Sequence, residues 1–157
     1  MKVVAFNGSP RKDGNTAHLI HHVLMEIKAA GIETEMVHLR GPIQGCIACF
    51  KCFEKKDGKC ALDQDIINDC ISKMTKADGI ILGSPTYFSD LTPELKALID
   101  RAGFVAKAND DLFRHISLSA SVCPGSGNLA SLFSFFAANY EALPILCQSR
   151  PHRKLLS

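Results

Sequence analysis

No run of apolar residues in this chain approaches the ~18 needed to cross a bilayer, and the first apolar run, residues 3–6, is too short for the core of a secretion signal. Neither a membrane partner nor export is expected, so the cytoplasm is the expected compartment. An excess of one charge is missing too. The 18 basic and 16 acidic residues are interspersed and leave a formal net charge of +2, which offers no stripe for nucleic acid or an anionic membrane. Length and composition suit one compact domain: 157 residues at 46% hydrophobic content can bury a substantial core, and residues 1–149 are read as that domain, followed by a short basic tail at 150–157.

Three phosphate-loop signatures are absent from the stretch where the chain most invites one. The sequence Gly8-Ser9-Pro10-Arg11-Lys12-Asp13-Gly14-Asn15-Thr16 follows an apolar run and precedes a helical pattern, so a strand ends in a loop that opens a helix. Lys12-Asp13 interrupts any Gly-Lys-Ser/Thr match, which excludes an NTPase loop. Gly8 and Gly14 stand six apart and do not make the dinucleotide fingerprint. No cysteine occurs between Val3 and Gly45, which excludes a thiol-nucleophile phosphatase loop. What is present still fits an anion. The first helical turn has unpaired amides at the positive end of its dipole, and Ser9, Asn15, Thr16 and the guanidinium of Arg11 add donors. The alternative is an ordinary strand-to-helix turn, since Gly, Pro, Asn and Ser are common in any turn.

A helix is expected over residues 16–30, with Ile20, Val23, Leu24 and Ile27 on one face and Gly31 as its stop, and a strand over 33–39. Strand, helix and strand so close together make a parallel unit with a right-handed crossover. His18, His21 and His22 fall mostly on other faces and are read as surface groups rather than ligands. A second helix at 63–75 carries Ile66, Ile67, Cys70, Ile71 and Met74 at helical spacing, with Cys70 read as a small core residue. The unbroken run Ile80, Ile81, Leu82 then fits a central parallel strand buried on both faces. It leads to Ser84-Pro85-Thr86-Tyr87-Phe88, a loop at the carboxyl end of a strand, where open parallel sheets bind ligands. Thr92-Pro93-Glu94 reads as cap, first helical residue and dipole-favoured acid of a helix running to Gly103.

With both loops in view, the chain resembles the flavodoxin-like NADPH-dependent FMN reductase family, and within it the iron-sulfur flavoproteins. The likeness covers residues 1–103, on Gly8-Ser9-Pro10-Arg11 with Gly14-Asn15-Thr16, on Gly83-Ser84-Pro85-Thr86-Tyr87-Phe88, and on Glu94-Leu95-Lys96-Ala97-Leu98-Ile99-Asp100-Arg101. The resemblance implies an α/β fold, a flavodoxin-like open parallel sheet of order 2-1-3-4-5 with helices on both faces. It also implies that Ser9, Arg11, Asn15 and Thr16 hold the phosphate of FMN and that Pro85, Thr86, Tyr87 and Phe88 lie along its isoalloxazine ring. An aromatic at 87 or 88 offers a stacking face; the alternative, ring filling between strand and helix, fits Phe88 better than Tyr87. A homo-oligomer, with the flavin near a subunit boundary, is implied in the same way.

Seven cysteines, four of them in Cys46-x2-Cys49-x2-Cys52-x7-Cys60, are an odd count for a reducing compartment and favour metal or redox chemistry over disulfides. Two-residue spacings let a tight loop wrap three thiolates around one centre, and a fourth closes the coordination. Zinc more often pairs two separate Cys-x2-Cys knuckles, so the spacing tilts toward a 4Fe-4S cluster, and it resembles the iron-sulfur flavoprotein motif. Lys51, Lys55, Lys56 and Lys59 would offset the thiolate charge. A zinc staple stays open beside it.

Beyond residue 115 the pattern weakens. Ile116, Leu118, Ala120 and Val122 alternate with serines, the period of a strand wet on one face, whereas the fold expects a fourth strand covered on both. Residues 123–127 fit a third flavin-side loop, 129–138 a helix and 143–147 a fifth strand. No room is left for the family's final helix, as in a truncated or frame-shifted end. The function these readings combine into is an FMN-dependent oxidoreductase fed by NAD(P)H or a reduced ferredoxin-like protein, with no acid, base or nucleophile nominated as catalytic. The competing class is a zinc-stabilised binding module with a vestigial flavin site.

Overall fold

The computed structural model describes residues 1–88 and 90–113 and the strand Ser117–Val122. Four parallel strands, β1 (Lys2–Asn7), β2 (Glu33–His38), β3 (Gly79–Ser84) and β4 (Ser117–Val122), form one sheet in the order β2-β1-β3-β4. Among the described residues four helices interleave with them: α1 (Asn15–Ala29), α2 (Lys51–Lys55), α3 (Ile67–Thr75) and α4 (Pro93–Ala108). The order is the first four strands of the flavodoxin-like arrangement. The proposed fifth strand, the third loop, the helix at 129–138 and the tail lie outside the described residues.

Strand alternation sorts the core onto two faces. Val4 and Phe6 of β1 and Ile80 and Leu82 of β3 pack with Cys70, Ile71 and Met74 of α3 and Leu95, Leu98, Ala102 and Val105 of α4. Ala5 and Ile81 point the other way, onto Ile20 and Leu24 of α1. Both faces of β1 and β3 are covered, which is why their sequences are apolar without a break. At ~1.5–3 kcal/mol for each large side chain removed from water, the α3/α4 face supplies most of the hydrophobic stabilisation. Cys70 belongs to that face, 1% exposed, and burial pushes its thiol up to about 12, so it stays protonated and inert.

Several local readings hold to the residue. Gly31, at φ +80°, ends α1: its amide donates to Lys28 O at 2.9 Å and that of Ile32 to Ile27 O at 3.3 Å, the paired bonds of a left-handed C-terminal cap. His18, His21 and His22 are exposed. Thr92 caps α4 with Pro93 behind it. Three boundaries or contacts differ. The helix expected from 63 begins at Ile67, because Asp65 Oδ1 accepts the Ile67 amide at 3.1 Å and starts the helix there. The helix expected to stop at Gly103 runs on to Ala108: Val105, Ala106 and Ala108 are buried, and that burial outweighs one glycine's helix penalty. Val23, expected on the apolar face of α1, lies at the edge of that stripe and is 38% exposed. The expected fourth strand is present as Ser117–Val122 and pairs in parallel with β3, Gly79 opposite Ser117 through Ser84 opposite Val122.

The loops after β1 and β3 meet the start of α4 in a close knot. The Gly8 amide donates to Gly83 O at 2.8 Å, and the fully buried Thr92 hydroxyl donates to Gly8 O at 2.8 Å. The Thr92 amide in turn donates to Ser84 Oγ at 3.0 Å. Glycine at position 8 is a matter of space: a Cβ there would stand 2.8 Å from Leu95 Cβ and 2.9 Å from Thr92 Oγ1. Neither atom can swing aside, since one is held by the helix backbone and the other by its hydrogen bond. Gly8→Ala should therefore lower stability by about 1–3 kcal/mol, the usual cost of overpacking, read as a lower urea midpoint; an unchanged midpoint would mean the loop has slack.

Candidate functional site

At the carboxyl edge of the sheet the loop from Gly8 to Gly14 folds over the start of α1. Asn7, fully buried, anchors it: its Oδ1 accepts the Ser9 amide at 2.9 Å, and Ser9 Oγ accepts the Arg11 amide at 3.2 Å. Gly14 is the N-cap, so no side chain caps α1, and its first turn carries no acidic residue. An N-terminus left in that state presents its amides and positive dipole end to whatever anion enters the loop. Ser9 and Thr16 sit at its base, 4% and 6% exposed, while Arg11 and Asn15 are on the solvent side. All four expected phosphate contacts thus belong to one loop and one helical turn.

The second loop lies beside the first because of the Gly8–Gly83 bond. Pro85 and Thr86 are partly buried, and Tyr87 and Asp90 exchange backbone bonds of 2.7 and 2.6 Å that close a narrow turn. Tyr87 is 44% exposed and Phe88 wholly so. Phe88 therefore does not fill the space between strand and helix. Its φ of +28° is rare for a bulky residue, and such backbone is held where the surrounding structure constrains it, often at functional loops.

The chain from residue 39 to residue 66 contains only α2 among regular elements, and it carries the cysteines. Ala48, Phe50 and Lys56 adopt left-handed backbone at φ 51°, 54° and 48°. These turns curl the loop so that Cys46, Cys49, Cys52 and Cys60 line one pocket, with about 370 Å³ of empty space including its open mouth. All four are partly exposed; burial pushes the Cys52 thiol above its usual range. No three His, Cys, Asp or Glu side chains among the described residues are gathered about a point as a single metal ion requires. Phe50, Phe53 and Phe104 form a ring triangle at the rim, centroids 5.9 to 6.1 Å apart, tying α2 to α4.

What holds this loop was not visible in its own sequence. Arg101 of α4 has a side chain 0% exposed, and it donates from Nε to Cys60 Sγ at 3.2 Å, from Nη1 to Gln44 O at 3.0 Å and Asp65 Oδ2 at 2.5 Å, and from Nη2 to Leu62 O at 2.6 Å. Burial alone would raise the Asp65 pKa, but Arg101 and the Ile67 and Gln44 amides more than offset it and hold the carboxyl below its ordinary range. Asn68 Nδ2 donates to Cys60 O at 3.0 Å while its Oδ1 accepts the Cys60 amide at 2.8 Å. Lys51, Lys55, Lys56 and Lys59 are exposed, so the buried cation at the thiols is Arg101 rather than any of them. The one sequence signal was the family likeness that included Arg101; it carried no role for the side chain.

The model of the NADPH-dependent FMN reductase family matches residues 1–148. An iron-sulfur flavoprotein of Methanocaldococcus jannaschii is 45% identical over 103 residues, 65% of this chain and 52% of that protein. An iron-sulfur flavoprotein of Archaeoglobus fulgidus is 33% identical over 159 residues, 96% of this chain and 75% of that protein. The chain therefore spans about half the length of the first of these relatives. Among solved structures, the NAD(P)H:quinone oxidoreductase from Methanothermobacter marburgensis superposes with a TM-score of 0.66 at 14% identity, over 94% of this chain and 83% of that one. An azoreductase from Bacillus anthracis gives 0.65 at 14%, over 92% and 84%. At such identities these two bear on the fold alone. Among the described residues no helix is long and apolar enough to cross a membrane.

One titration reports on the first loop. His38, at the end of β2, faces Asn7: its Nδ1 lies 3.0 Å from Asn7 Nδ2, which requires a neutral ring to accept. Burial, then the charges of Arg40 and Lys12, hold its pKa below 6.5, with Asp13 opposing. The unfolded chain then takes up this proton at higher pH than the folded one. The stabilisation is present above about 6.5 and falls as pH drops toward the folded value. Between pH 7.5 and 5.5 the wild type should lose more of its urea midpoint than His38→Gln does; equal losses would remove His38 as the source.

Proposed function

Because the chain belongs to the NADPH-dependent FMN reductase family, we propose that it is an FMN-dependent oxidoreductase whose cysteine pocket holds an iron-sulfur cluster of the 4Fe-4S type. The observation that carries the flavin part is the open N-terminus of α1 beside a second loop locked to it by the Gly8–Gly83 bond. Ser9, Asn15, Thr16 and the α1 amides would bind the phosphate, and Arg11 would add charge-assisted hydrogen bonds from the solvent side. Pro85 to Phe88 would lie along the ring, with the exposed face of Tyr87 available for stacking. FMN, when bound, supplies two-electron chemistry on one side and single electrons on the other; the protein supplies binding, orientation and water exclusion.

The four cysteines line one pocket, and the names of the relatives support a cluster there over a zinc staple. The relatives compared above are named iron-sulfur flavoproteins. Cys46, Cys49, Cys52 and Cys60 would each supply one thiolate. The electron donor in this reading is NAD(P)H or a reduced ferredoxin-like protein, and the working form is a cytoplasmic homo-oligomer, which light scattering at micromolar concentration would test.

Anaerobic preparations assayed for iron, zinc, flavin and visible spectrum test the proposal directly. The wild type should contain FMN and iron, and Cys49→Ser should lose the iron while retaining FMN, since none of the four pocket cysteines lies in the loops assigned to the flavin. Zinc in the wild type, or joint loss of metal and FMN in the variant, would favour the zinc-stabilised module with a vestigial flavin site. Arg11→Ala should weaken FMN binding by about 1–3 kcal/mol; an unchanged titration removes Arg11 from the phosphate site.

A further inference from the structure

We propose that Arg101 is a positioning residue which, together with Asp65, sets the charge at Cys60 and thereby the reduction potential of the cluster; this rests on the cluster reading above. The pattern of its bonds points there. A buried guanidinium has five N–H donors to satisfy, and here three acceptors are Gln44 O, Leu62 O and Asp65 Oδ2, which fasten the loop. The remaining bond goes to sulfur, from Nε to Cys60 Sγ at 3.2 Å, although thiol sulfur is a weak acceptor when protonated. A thiolate is a far better partner for that donor.

The charge balance follows from burial. Four thiolates concentrate negative charge in the pocket, and adding an electron makes it more negative still. A cation within hydrogen-bond reach of a ligand sulfur favours the reduced form and raises the potential, as hydrogen bonds to cluster sulfurs do generally. The exposed lysines of the loop act through solvent and are screened. Arg101 is not, with its side chain 0% and that of Asp65 7% exposed. Asp65 neutralises part of the guanidinium charge, so the two residues pull the potential in opposite directions. Lysine would be a poor substitute, because one ammonium cannot serve four acceptors held in this fork geometry.

Opposite signs separate tuning from mere support. The test is an anaerobic potentiometric titration of the cluster signal in the full-length wild type, Arg101→Gln and Asp65→Asn, with iron and FMN measured on each sample. Arg101→Gln should move the midpoint to more negative potential and Asp65→Asn to less negative potential, with FMN affinity unchanged in both. If Arg101→Gln fails to fold, the Asp65→Asn midpoint decides alone, because asparagine keeps one of the two acceptor oxygens that the Ile67 and Gln44 amides use. Midpoints at the wild-type value, shifts of the same sign, or loss of iron with no shift in the cluster that remains each overturn the role of Arg101 while leaving the cluster reading intact. A wild type without iron overturns the cluster reading itself, and this inference with it.

Discussion

The arrangement at the carboxyl edge of the sheet depends on how closely the loop after β1 can approach the start of α4. Position 8 has no side chain, and the Thr92 hydroxyl and the Gly83 carbonyl take up the backbone polar groups that this contact buries. The same threonine caps α4, with a long 3.5 Å contact from the Leu95 amide, and its own amide bonds Ser84. One buried residue thus couples the loops after β1 and β3 and a helix start. Were the approach 1 Å looser, the loops would face the same solvent without a fixed relation to each other.

The helix that starts in this knot also reaches the cysteines. Arg101 stands nine residues after Thr92, a rise of about 14 Å along the axis. The N-terminal end of α4 therefore supports the loops after β1 and β3, and its second half and C-cap support the thiol pocket through Arg101, Phe104 and Asn109, whose Oδ1 accepts the Gly58 amide at 3.1 Å. Both sites hang on one rigid element but on different turns of it. Local disturbance at either end need not propagate, because the residues between, Leu95, Leu98 and Ala102, are locked in the main core.

The cysteine loop departs furthest from regular structure and has the most specific supports. Three non-glycine residues in left-handed backbone are each unfavourable on their own. They persist because Arg101 of α4 and Asn68 of α3 bond the loop's carbonyls and amides from elements already fixed by packing, while Asp65 ties the Gln44 amide across the base of the loop. Strain of this kind, gathered around a group of thiols and a buried cation, fits a site shaped for a ligand better than a connection of convenience.

The sequence by itself determined the elements of the sheet and the helices packed on it, but not the short α2 inside the cysteine loop. The unbroken apolar runs of β1 and β3, the apolar stripe of α1, Gly31 and the Thr92-Pro93-Glu94 cap are local signals, written in short stretches of sequence and in residues with special backbone preferences. They located the strands and helices along the chain, the strand order following from the family likeness, and they set Ser9, Arg11, Asn15 and Thr16 on one loop and the helical turn it opens. The spacing of the cysteines was equally legible, since a motif that curls on itself is local too. The end of α4 was not: Gly103 is a stop signal in isolation, and only the buried Val105 and Ala106 carry the helix past it. Nor was the partner of the thiols. Lysines adjacent in sequence are the natural choice for charge balance, yet tertiary structure directs them to water and inserts Arg101, 41 residues from Cys60, under the loop. That choice depends on which side chain lies beneath the sulfur once α4 has docked on the sheet, and burial, which makes the charge effective, exists only after the chain has folded.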